Sequence, residues 1–230
     1  MGTMIRILWH ALMITGPSRW RLAGTFACLM TGMLIGSTAY ASVAEMFEAV
    51  RINDLKVLQR QLTRGFDVDS TDTKGSSLLM EAARSGHVAI VEFLLKSKAQ
   101  VNRRNTTGET AIMLAAFQGH LKIVQLLHKA GAEIAHSGWA PIHYAAFHGH
   151  VDVCRYLLES DVAIDDRAPN GLTALMLASR QGHEPLVRFL LWERANPGLA
   201  NDDGSTAMSM AIQHNHEAIA KLLRQAGARK

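Results

Sequence analysis

Residues 108–120 read Gly-Glu-Thr-Ala-Ile-Met-Leu-Ala-Ala-Phe-Gln-Gly-His, and the chain carries five registered versions of this stretch. The closing pair recurs as Gly86-His87, Gly119-His120, Gly149-His150, Gly182-His183 and Asn215-His216, at spacings of 33, 30, 33 and 33 residues. The opening glycine keeps step as Gly75, Gly108, Gly138, Gly171 and Gly204. Self-similarity at such a period marks a stack of small units, none of which can bury its apolar face alone.

Each unit reads as two helices. Three, four and seven residues beyond the histidines stand Ile90, Val91 and Leu94; Ile123, Val124 and Leu127; Val153, Cys154 and Leu157; Leu186, Val187 and Leu190; Ile219, Ala220 and Leu223. All fifteen are apolar, and these offsets fall on one stripe of an α-helix. The residues five beyond (Glu92, Gln125, Arg155, Arg188, Lys221) are polar and fall outside it. A second helix is expected before each Gly-His, over 79–84, 112–117, 142–147, 175–180 and 208–213. Its small pairs, such as Ala82-Ala83 and Ala115-Ala116, permit close packing, and Ser77, Thr110, Thr173 and Thr206 stand where an N-cap hydroxyl accepts. The expected fold class is an all-α repeat solenoid of helix-turn-helix units joined by β-hairpin loops.

Residues 108–120 resemble the ankyrin-repeat signature G-x-T-P-L-H-x-A-A-x-x-G-H, and Ala140-Pro141-Ile142-His143 keeps the family's Pro at the first helical position together with its His. The resemblance divides the chain into a capping repeat at 42–70, repeats at 71–103, 104–136, 137–166 and 167–199, and a C-terminal cap at 200–230. The first unit has Asn53-Asp54 in place of Gly-His and Gln61 at the seventh place, a polar lapse expected to face water. The 137–166 repeat is three residues short in its hairpin, and Ala140 replaces the capping hydroxyl. The family's Gly after the second helix, kept as Gly65, Gly131 and Gly227, becomes Lys98, Asp161 and Arg194. Left-handed backbone at those three is expected to cost about 1 kcal/mol each.

Hydrophobic residues make up 48% of the chain and charged residues 19%, enough apolar material for a core. The net charge of +4 misleads, because Arg6, Arg19 and Arg21 lie in an acid-free N-terminal stretch and the remainder is nearly balanced. Without a continuous basic stripe, nucleic-acid binding is not expected. Residues 1–41 read as an export signal. Leu22 to Gly36 is a charge-free apolar core, and Ala39-Tyr40-Ala41 fits the small-x-small cleavage rule, so the mature protein is expected to begin at Ser42 and to be periplasmic. Met13 offers an alternative start, and an uncleaved signal would serve as an inner-membrane anchor.

No nucleophile elbow, P-loop or Cys-x-x-Cys pair occurs, so neither catalysis nor a cofactor is expected. Cys154 occupies a core place and is expected to be inert. Five histidines belong to the repeat, where in the family they tie each turn to the next unit. His136, His143 and His148 fall within thirteen residues and leave a metal site as an alternative to scattered, solvated histidines.

The resemblance implies a concave binding face, built from the residue after each hairpin Gly and the two before Gly-His. By register these include Arg84; Glu109, Phe117 and Gln118; Trp139, Phe147 and His148; and Leu172, Arg180 and Gln181. Three bulky aromatics flanked by Arg84 and Arg180 have the composition of an interface centre. The competing expectation folds Trp139 onto Phe117 or Phe147 as local packing. The function expected is a non-enzymatic, monomeric, exported module that binds a protein partner in this groove. Two other classes go with the resemblance: an accessory factor for a periplasmic oxidative-stress enzyme such as catalase, and a secreted, host-directed effector. No residue quoted above encodes either.

Overall fold

Helices come in pairs, as the doubled periodicity requires. The computed structural model describes residues 43–135 and 138–228. The expected signal at 1–41, the alternative start at Met13 and His136 lie outside them. Twelve helices are described: α1 (43–51), α2 (Leu55–Thr63), α3 (Leu78–Ser85), α4 (Val88–Lys96), α5 (Ala111–Phe117), α6 (Leu121–Lys129), α7 (Pro141–His148), α8 (Val151–Glu159), α9 (Ala174–Gln181), α10 (Glu184–Trp192), α11 (Ala207–Gln213) and α12 (Glu217–Gln225). The packing that follows is that of Met46–Lys230; of Met1–Glu45 only the helical residues 43–45 are described.

From α3 onward the odd-numbered helices stack in one layer, α3 on α5 on α7 on α9 on α11, and the even-numbered helices form a second layer behind them. All fifteen stripe residues of the second layer are buried. Among the described residues the connecting loops carry isolated antiparallel bridges only, Thr71 with Ser77 and Ala200 with Thr206.

Local chemistry sets the helix ends. Ser77 Oγ accepts from the Met80 N–H at 3.2 Å while Met80 Sδ accepts from the Ser77 N–H at 3.4 Å. Thr173 and Thr206 cap α9 and α11 in the same sense through the N–H groups of Met176 and Ser209. These helices start at Leu78, Ala111, Pro141, Ala174 and Ala207, one residue ahead of the expected starts, because the residue after each N-cap is already helical. Thr110 departs from the expectation. Its backbone is extended as an N-cap should be, yet Oγ1 is buried without a hydrogen-bond partner, a state that costs about 1–3 kcal/mol. Gln61 departs too: it is 2% exposed rather than facing water. The seventh place belongs to the inner stripe, so its position decides its burial whatever its polarity.

Each repeat histidine bolts two units together. Nε2 of His87, His120, His150, His183 and His216 lies 2.9–3.2 Å from the carbonyls of Arg51, Arg84, Phe117, Phe147 and Arg180 respectively. A carbonyl only accepts, so Nε2 carries the proton and donates. From His120 onward the ring then lies on the previous unit's left-handed glycine. A Cβ built on Gly149 would meet His183 Cγ at 2.6 Å, and one on Gly119 would meet His150 Nδ1 at 2.5 Å. The other expected left-handed sites are present as well, with φ of +67° at Lys98, +65° at Asp161 and +67° at Arg194.

Candidate functional site

Four of the interhelix loops are fingers of one design. In the first, the Asp72 N–H donates to Ser76 O and the Gly75 N–H to Asp72 O, both at 3.0 Å. The same two bonds close 105–109, 168–172 and 201–205. Oδ1 of Asp72, Asn105 and Asn201 also accepts from the N–H four residues on, at 2.8, 2.8 and 2.7 Å. Short polar side chains that take up their own turn's N–H groups stiffen it.

The fingers are joined two by two. Thr106 donates its N–H and its hydroxyl to Lys74 O at 3.1 and 2.9 Å, which ties the first finger to the second. Further along, the Asp202 N–H donates to Asn170 O at 3.2 Å and Arg167 Nη2 to Ala200 O at 3.0 Å. Between these pairs falls the unit whose hairpin is three residues short. There a pocket of about 340 Å³ opens, lined by Arg104, Thr107 and Gly108 from one finger, Pro169 from the other, and Trp139 and Tyr144 from the short unit. A second pocket of about 290 Å³ adjoins it across Thr107 and is lined by Lys74, Arg84, Glu109, Phe117 and Gln118 among others.

The expected aromatics do come together, with one addition. Trp139 packs neither on Phe117 nor on Phe147; its ring stands edge-on to Tyr144 at 6.2 Å and to His143 at 5.8 Å. Tyr144 in turn meets Phe117 at 6.3 Å, Phe117 meets His148 at 4.0 Å, and His148 meets Phe147 at 5.1 Å. The Arg180 guanidinium closes the row 5.6 Å above the Phe147 ring. Tyr144 was not among the register-derived positions. The signal was available in helical spacing: Tyr144, Phe147 and His148 stand at i, i+3 and i+4 and share a face of α7. The histidine bolts hold the carbonyls of Phe117, Phe147 and Arg180, so the backbone beneath the groove side chains is fixed before any partner arrives.

The remaining positions divide. Arg84 is in the groove and pairs with Glu81 at 3.4 Å. Glu109 closes the base of its finger opposite Asn105, with Oε2 accepting from Asn105 Nδ2 and Thr107 Oγ1 at 2.9 and 2.7 Å. Gln181 is half-buried at the end of α9 and lines neither pocket. Leu172 is a correction: at 3% exposure it is not available to a partner. Burying an aliphatic side chain gains about 1.5–3 kcal/mol, so the slot that keeps Glu109 at the surface turns Leu172 inward. Trp192, at 82% exposure the most exposed of the large apolar side chains among the described residues, stands at the end of α10, and nothing in the structure explains it.

The electrostatics follow from this geometry. Burial first, then the charges of His150 and His183, hold the His148 imidazole below its ordinary range. Burial and then the Glu109 carboxylate push the Tyr144 phenol up, with Arg104 opposing, so it stays a hydroxyl donor. His143 is fully buried with both nitrogens engaged: Nδ1 accepts from the Ala140 N–H at 3.1 Å, and Nε2 donates to Asp166 O at 3.0 Å. That leaves it no lone pair for a metal. Cys154 is buried, and its thiol is pushed up to about 12, as an inert core residue requires.

A stack of bolted helix pairs with fingers projecting beside an aromatic row defines a repeat-built binding module. The chain belongs to the ankyrin-repeat family: the model described as ankyrin repeats (3 copies) matches residues 46–137, 100–168, 134–198 and 160–230. Ankyrin repeats form protein–protein interaction modules, and the family is in general non-enzymatic. Among 597 matching chains of solved structures is the crystal structure of the human ASB11 ankyrin repeat domain. It is 28% identical, with a TM-score of 0.75 over 80% of this chain and 84% of that one. No curated protein matches the chain. Among the described residues, no helix is long and apolar enough to cross a membrane.

Proposed function

We propose that the chain is an exported, non-enzymatic recognition protein that holds one protein partner on its concave face, centred on the gap in the finger row. The observation that carries this is the continuous aromatic run Trp139–Tyr144–Phe117–His148–Phe147, half-buried except for the exposed His148 and ending at Arg180. Rigid aromatics over a fixed backbone lose little entropy on binding, which suits them as anchors. Arg84, Glu109 and Gln118 extend the contact surface on one side and Gln181 on the other. The groove is complete within one chain, so a monomer suffices. The charge-free run ending at Ala39-Tyr40-Ala41 supports cleavage before Ser42 and a periplasmic location, with repeat units cut at 70/71, 103/104, 136/137, 166/167 and 199/200.

Pull-down from a periplasmic extract, with wild type against Trp139→Ala, tests the groove. The substitution should weaken capture by roughly 2 kcal/mol or more while leaving the melt nearly unchanged. Full capture by the variant would move the site to another face. Mass spectrometry of the exported form should find Ser42 at the N-terminus, and a form retaining Met1 or Met13 would replace secretion by anchoring.

A further inference from the structure

The charges around the gap are one-sided. The two adjoining pockets are lined by three cations, Lys74, Arg84 and Arg104, and by one carboxylate, Glu109. That carboxylate already accepts two hydrogen bonds within its own finger, from Asn105 and Thr107. The Lys74 ammonium has no ion pair or hydrogen bond among the described residues, although its backbone carbonyl joins the two fingers. The Arg104 guanidinium donates Nη1–H to Gly108 O at 2.9 Å within its own finger, and its nearest carboxylate is Glu133 at 3.8 Å, with both side chains about half exposed (42% and 57%). The Tyr144 hydroxyl has no hydrogen-bond partner among the described residues and, kept protonated by burial and Glu109, is a free donor beside the pocket. Trp139 and Pro169 line the same pocket as Arg104 and Tyr144. Thr107 lines both pockets, which adjoin at the 105–109 finger.

We propose that these adjoining pockets together form a trough that takes an extended acidic segment of the protein partner. One aromatic or prolyl side chain enters the pocket lined by Trp139, Tyr144 and Pro169, and flanking carboxylates meet Arg104, Arg84 and Lys74. The inference rests on the concave-face function proposed above and adds the chemistry of what is bound. A basic segment would leave three cations facing cations, and like-charge contact at an interface is strongly unfavourable. A wholly apolar segment would strip water from Lys74 and the Tyr144 hydroxyl without replacing their hydrogen bonds.

The test is selection of random twelve-residue peptides displayed on phage against the full chain, followed by fluorescence anisotropy with one enriched peptide, synthesised and labelled. Enriched peptides should carry more Asp and Glu than Lys and Arg, around a Trp, Tyr, Phe or Pro. Lys74→Glu, whose ammonium supports nothing in the fold, and Arg104→Glu should each weaken binding by about tenfold at low salt. Trp139→Ala should weaken it by at least about tenfold. Peptides that bind through Trp139 yet are neutral or basic would overturn the acidic chemistry and leave the groove standing. Binding indifferent to both Trp139→Ala and Phe117→Ala would bring down the groove as well. Absence of any enrichment, or tighter binding of a twelve-nucleotide oligothymidylate than of the enriched peptide, would overturn the proposal.

Discussion

The paired fingers and the gap between them are made from the same repeat, and three residues separate their behaviour. In the full-length hairpins an Asp or Asn at the base of three of the four accepts its own turn's N–H groups, and the fingers are tied in pairs through their tips. Where it is short, Trp139 and Tyr144 face a pocket bounded by the fingers on either side. Beneath both, the helix layers are alike: Leu127 and Leu157 are each fully buried, and each unit is bolted to the last by a histidine. Function in such a stack can therefore change at the loop while the core repeats unaltered.

The largest expected effect checks that separation. Leu127→Ala and Leu157→Ala should each cost about 2–5 kcal/mol in urea melts, and similar amounts, because one lies under a full finger and the other under the gap. A clear excess at Leu157 would mean that the short hairpin also weakens the helices below it.

Backbone substitutions come next. Gly149→Ala should destabilise well beyond the ordinary penalty of about 1 kcal/mol for a residue forced left-handed, since its Cβ would strike the His183 ring. Gly65→Ala meets nothing within 4 Å and should show that penalty alone. Conversely, Lys98→Gly and Arg194→Gly relieve φ values of +67° and should be neutral or slightly stabilising. Melts in which both lose more than about 1 kcal/mol would show that their side chains contribute packing the backbone argument omits.

The smallest effect concerns pH. The fold holds His148 below its ordinary 6.5, so as pH falls the unfolded chain takes up this proton first. The contribution is fully present above pH 6.5 and declines as pH falls from there toward the lower native value. His148→Gln should flatten that portion of the stability profile, and an unchanged slope would place the ring in water.

What could be read from sequence was whatever periodicity dictates. The fifteen-residue stripe and the left-handed sites at Lys98, Asp161 and Arg194 follow from helical spacing and glycine replacement. Side-chain direction did not follow from register. Leu172 occupies a contact slot and turns inward, Thr110 occupies a cap slot and leaves its hydroxyl unbonded, and Gln61 is polar and buried. In each, packing around one residue outweighs the rule for its position. Tyr144 escaped because the family slots omit it, although its spacing to Phe147 and His148 puts it on their face. Finger pairing rests on bonds such as Thr106 to Lys74, between loops 32 residues apart, which no local pattern encodes.

The claim that the short hairpin creates the binding site is tested most directly by lengthening it. Inserting three residues into the 135–138 loop restores the 33-residue step of the other repeats, and loop entropy grows only slowly with length, so the melt should shift by no more than about 0.5 kcal/mol. The partner captured from periplasmic extract by the wild type should then be lost, because a full finger would fill the pocket over Trp139 and Tyr144. Undiminished capture by the lengthened protein would contradict the claim.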